Sequence, residues 1–158
     1  MNKNPKTKIE TLKRKSRRKH LMNELSYMTL PEHPFLDIEG NQLFCQKVFA
    51  FLHAREDKIQ IHGDNYREHI EKSTQMLKEL AKNTENYPQK ARIMFFREHE
   101  IEALLVNVNE VFSHLNQLLE QTKFSSGYGD FMLVTEDLHF GLCIERTEYF
   151  YELSTWGF

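Results

Sequence analysis

Eight histidines, two cysteines and 23 carboxylates are the side chains of this sequence best suited to metal binding, thiol nucleophilicity or acid–base exchange. Their spacing decides which of those chemistries is open. His62 and His69 flank a predicted turn-to-helix junction, and His99 sits among Glu98, Glu100 and Glu102. Glu110 and His114 stand at i, i+4, where two side chains on one helical face can share an ion. A helical metalloprotein would be built from such pairs on facing helices. The Glu-x-x-His pair of di-iron bundles is missing, however, and so is His-Glu-x-x-His. Arg92 and Arg97 near Glu98 and Glu102 fit a solvated, ion-paired face instead. No metal ligand and no cofactor is assigned.

Nucleophilic chemistry finds no better footing. Cys143 lies between Leu142 and Ile144 in a predicted strand, and Cys45 falls in a Phe-rich predicted helix. Lone thiols in apolar surroundings, with no C-x-x-C spacing, are core filler in a reducing compartment. Ser125-Ser126-Gly127-Tyr128-Gly129 is too short for a phosphate-binding loop and lacks its lysine, so it reads as a helix stop. With no catalytic residue identified, the reading leans away from an enzyme.

Charge is more informative. Residues 1–20 hold nine Lys or Arg against one acid, Glu10, a balance of +8. Residues 21–158 hold 12 basic and 22 acidic side chains, a balance of −10. The run Lys13, Arg14, Lys15, Arg17, Arg18 and Lys19 could neutralise phosphates by counterion release, without sequence readout. It could equally serve as a targeting signal, a solubilising tail, or an arm that folds onto its own acidic body. Residues 1–20 are therefore expected to be a basic, flexible arm, and 21–158 a single domain.

At the other end, residues 130–158 carry Asp130, Glu136, Asp137, Glu145, Glu148 and Glu152 against Arg146 alone. Tyr149, Phe150, Tyr151, Trp156 and Phe158 are interleaved with them. Aromatic anchors rimmed by acids make a surface suited to a basic protein partner. Glu145, Glu148, Phe150, Glu152 and Trp156 are the expected contact residues. Strand alternation sends Tyr149, Tyr151 and Leu153 to the core and leaves Glu148, Phe150 and Glu152 outside.

The elements that must position these groups are read from periodicity. From Ile101, apolar residues fall at 101, 104, 105, 108, 111, 112, 115, 118 and 119, an a/d/e stripe that predicts one amphipathic helix. Extended from Pro88 to Thr122 it would be about 50 Å long, against roughly 40 Å for a compact chain of this size. A break or kink is expected at Arg97–Glu100. Upstream, a helix is predicted from Gln42, a short strand at Lys58–His62, and a helix opened by an Asn65/Glu68 capping box. Gly40-Asn41 reads as a turn. Downstream, Phe131–Thr135, Phe140–Glu145 and the segment around Tyr151 read as strands.

The expected fold is α+β: a mostly helical body around one long amphipathic helix, closed by a small C-terminal antiparallel β-meander. Composition is ordinary for a folded protein, with 40 % apolar and 28 % charged residues. No apolar run reaches the roughly 18 residues of a membrane span, and no secretory apolar region follows the basic N-terminus. The leading functional expectation is a non-enzymatic cytoplasmic interaction protein. Its acidic aromatic surface would bind and neutralise a basic partner, as immunity proteins, antitoxins and anti-host inhibitors do. The alternatives are a nucleic-acid-binding regulator that acts through residues 13–19, with the body as a homodimerisation unit, and, third, a helical metalloprotein using His62, His69 or His99.

Overall fold

In a computed structural model describing residues 5–97 and 100–158, the stripe at Ile101–Leu119 is divided between a strand and two short helices. In chain order the elements are α1 (Pro5–Glu24), α2 (Ile38–Ala54), β1 (Ile59–Ile61), α3 (Tyr66–Leu80), β2 (Lys90–Arg97) and β3 (Glu100–Asn107). They continue with α4 (Val108–Ser113), α5 (Leu115–Gln121), β4 (Phe131–Val134), β5 (Gly141–Arg146) and β6 (Tyr151–Trp156). All six strands form one antiparallel sheet in the order β1-β6-β5-β4-β2-β3. A mostly helical body closed by a small meander is thus overturned: the sheet is the frame, and the helices pack on its two faces.

The physical reason lies in burial. β2 and β3 are covered on both faces, so both faces are apolar and the period-two alternation of a half-exposed strand is lost. Ile93, Phe95, Leu104 and Val106 enter one buried cluster, and Met94 and Ala103 enter the other. The resulting run of apolar residues also satisfies a helical stripe. Where a helix break was expected, the chain instead reverses into a hairpin, with Arg97 opposite Glu100. Residues 98 and 99, and with them the candidate ligand His99, lie outside the described residues.

The larger cluster holds Leu21, Leu25 and Met28 with the buried sides of α3, α4 and α5. The smaller one is made by α2, through Phe44, Cys45, Val48 and Leu52, against Met94, Met132, Val134 and Cys143. α2 begins earlier than predicted because Asp37 caps it, accepting from Gly40 N at 2.7 Å, so Gly40 and Asn41 lie inside the first turn. α3 opens as expected: Asn65 accepts from Glu68 N, and the Glu68 carboxylate accepts from Asp64 N, both at 3.0 Å.

Candidate functional site

Antiparallel pairing brings the C-terminal ends of β1, β2 and β5 to one end of the sheet, with the N-terminal ends of β3, β4 and β6. Three loops meet there. The β1–α3 loop and the first residue of α3 bring His62, Asp64 and Tyr66. The segment before β4 brings Tyr128 and Asp130, and the β5–β6 turn brings Glu148, Tyr149 and Phe150. Arg146 knits the loops together. Its backbone N–H donates to the Asp130 carboxylate at 3.0 Å, and its guanidinium donates to Gly127 O at 2.9 Å. That guanidinium also lies 5.9 Å from the centre of the Tyr66 ring. The His62 and Phe150 rings meet at 5.4 Å. Three tyrosines are exposed at this end: Tyr66 is 55 % exposed, Tyr128 84 % and Tyr149 76 %.

The five residues expected to bind a partner divide across the molecule. Glu148 is exposed and Phe150 half-buried in the β5–β6 turn. Tyr151 and Leu153 are buried as alternation requires, but Tyr149 is not, because β6 starts only at Tyr151. Glu145 and Glu152 face each other directly across β5 and β6, an arrangement that is repulsive unless a cation intervenes. Lys58 intervenes, 3.5 Å from each carboxylate. Trp156 sits at the far end of β6 under the C-terminus of α2. It donates to Leu138 O at 2.8 Å and packs on Phe51 and Arg55. Asp130 joins the crowded acids: burial pushes its carboxyl up to about 6, helped by the Glu145 charge and opposed by the Arg146 N–H. Tyr128 escaped sequence reasoning because loop residues carry no periodicity, and helical period puts Tyr66 on the inward side of α3, where as the helix's first residue it is instead exposed.

On the basic helix, Arg14 and Arg17 both bind Glu100, Arg14 donating at 2.6 Å. Arg18 binds Glu102 at 2.6 Å, donates to Leu36 O at 2.6 Å and covers the Phe35 ring. The arm's arginines are thus engaged by the acidic body, while Lys13, Lys15 and Lys19 remain exposed. The histidines are dispersed. His69 is buried with Nε2 3.1 Å from Gly63 O, and His62 is exposed. Among the described residues no group of three or more His, Cys, Asp or Glu is placed to hold a metal ion. Both thiols are buried. Burial pushes Cys45 up to about 11, and burial with the nearby Glu145 charge pushes Cys143 further up, so neither is a ready nucleophile.

A six-stranded antiparallel sheet covered on both faces, with aromatic, acid-rich loops at one end, defines this protein's structural class. The chain belongs to the YxiF protein family, whose model matches residues 21–156. No curated protein matches the chain, and no solved structure does. The family match begins at Leu21, so the whole Lys13–Lys19 run lies outside it while the aromatic end lies within. Among the described residues no helix is long and apolar enough to cross a membrane.

Proposed function

We propose that this is a non-enzymatic interaction protein that binds and neutralises a basic protein partner at the aromatic end of its sheet. Immunity proteins, antitoxins and anti-host inhibitors work in this manner. The observation that carries the reading is the exposure of Tyr66, Tyr128 and Tyr149 at one end of the sheet, on segments that also carry Asp64, Asp130 and Glu148. Large aromatics withheld from the core and clustered on a surface supply contact area at little entropic cost. Surrounding carboxylates steer a cationic partner and disfavour an acidic one. Phe150 and the Glu145–Glu152 pair lie at the same end; Trp156 does not and is left out of the contact set. The cytoplasm, where two buried free thiols stay reduced, is the compartment that fits.

The nucleic-acid alternative draws less support, because Arg14, Arg17 and Arg18 already have carboxylate partners. Affinity capture with mass spectrometry tests the two against each other. The full chain is compared with a Glu148→Lys/Tyr149→Ala variant and a Lys13→Gln/Lys15→Gln/Lys19→Gln variant. We expect a basic protein to be retained by the wild type and the lysine variant. The Glu148/Tyr149 variant should bind it at least about tenfold more weakly. Loss of binding in the lysine variant alone, with nuclease-sensitive capture, would overturn the reading.

A further inference from the structure

The two outer strands of the sheet are treated differently. β3 is sealed, since Asn41 donates to Ile101 O and accepts from Ala103 N, and Leu105 N donates to Pro34 O. Among the described residues no strand lies beyond β1, and Ile59, on the same face as the buried Ile61, is 54 % exposed. A groove of about 850 Å³ runs beside it, lined by Gln60, Ile61 and His62 on one wall and by the Glu71, Thr74, Gln75 and Lys78 flank of α3 on the other.

We infer that this groove is the contact surface for a second copy of the chain, with β1 paired antiparallel to its symmetry mate. The charges are self-complementary. Glu71 and Lys78 lie two helical turns apart on one stripe of α3. Neither has an ion-pair partner among the described residues. A two-fold axis perpendicular to the sheet makes both β1 and α3 antiparallel to their mates. With Thr74 and Gln75 straddling the axis, Glu71 faces the Lys78 of the other copy, and Lys78 its Glu71, as an isologous contact requires.

The spacing agrees. α3 contacts both β1 and β6, so it rests above the gap between them. Paired strands lie about 4.8 Å apart, which puts α3 about 5 Å from the axis and the two α3 helices about 10 Å apart. That is the interaxial distance of packed helices. Ile59 would lie opposite the Ile61 of the mate when Gln60 meets Gln60, which extends the apolar row across the axis. Because β1 has three residues, strand pairing alone gives few hydrogen bonds, and the helix contact is needed to fill the groove.

Sedimentation of the full chain tests this surface independently of any partner at the aromatic end. The wild type should dimerise reversibly below about 1 mM. Glu71→Lys and Lys78→Glu should each weaken dimerisation at least about tenfold, since each sets like charges face to face. Two rescues follow from the two-fold geometry: the double variant dimerises again, and an equal mixture of the two single variants forms a heterodimer. Circular dichroism verifies that each variant is folded. A wild type that stays monomeric to about 1 mM would overturn the inference. So would single variants that never associate better when mixed than alone.

Discussion

The two sides of the sheet follow opposite rules. Around β3 the side chains of Asn41, Arg18 and Arg92 are fully engaged: Asn41 bridges Ile101 O and Ala103 N, Arg18 holds Glu102, and Arg92 donates to Glu136, Pro34 O and Ala103 O. Around β5, β6 and β1, two glutamates share one lysine, Asp130 is crowded by Glu145, and among the described residues no strand pairs with the outer side of β1. A saturated edge resists unwanted strand pairing. An under-neutralised, unpaired side costs folding free energy, and a binding role is the kind of gain that offsets such a cost. The saturated contacts lie on the β3 side, and the proposed function would put recognition on the other.

The largest expected effect is at the sealed edge. Asn41→Ala removes both hydrogen bonds of a buried side chain and leaves Ile101 O and Ala103 N facing a space the side chain filled. Leaving one buried group unsatisfied costs about 1–3 kcal/mol, so the variant should lose about 2–4 kcal/mol in chemical denaturation. It should also aggregate through the opened strand, which light scattering would detect. A loss below about 0.5 kcal/mol would show that the two sides do not differ as described.

This contrast also sets what could be read from the sequence. β6 was legible because Tyr151 and Leu153 alternate with half-exposed Glu152, the signature of a strand with one wetter face, while the short runs of β4 and β5 were legible from their aromatic and β-branched content between turns. The Ile93–Phe95 and Ala103–Val106 segments were not, because double-sided burial erased that signature and left a run that also fits a helix. Two local clues were available: a 35-residue helix too long for the body, and four consecutive polar residues at Arg97–Glu100, where the chain turns. The partners of Asn41 lie 60 or more residues away, so its role as an edge plug could not be seen. The acidic aromatic character of the tail was visible, but the separation of Trp156 from Glu148 depended on where β6 begins.

On the crowded side the next effect is a pH dependence. The Asp130 carboxyl titrates near 3.8 when unfolded and about 6 when folded, so the folded state holds the extra proton between those values. Stability from this group therefore falls as pH rises from about 4 to about 6 and stays low above that. Asp130→Asn removes the titration and keeps an oxygen to accept from Arg146 N. The variant should match the wild type near pH 4 and exceed it by about 1–2 kcal/mol at pH 7, allowing for partial solvent screening. Parallel stability–pH curves for the two proteins would mean that the acids are not crowded enough to matter.

The smallest effect completes the contrast with Asn41. Ile59 is on a strand with one neighbour, and more than half its surface already meets water. Replacing it by lysine keeps its backbone pairing with Leu153 and places the ammonium in solvent. The folding free energy measured on dilute protein should change by no more than about 0.5 kcal/mol. A lysine on an outer strand is nevertheless a barrier to pairing with another strand, because its charge would have to be carried into the new contact. Ile59→Lys should therefore separate two properties that Asn41→Ala changes together, leaving folding intact while closing the edge to association. If it cost several kcal/mol in the dilute monomer, Ile59 would be part of the core, and the β1 side would contribute to stability as strongly as the β3 side does.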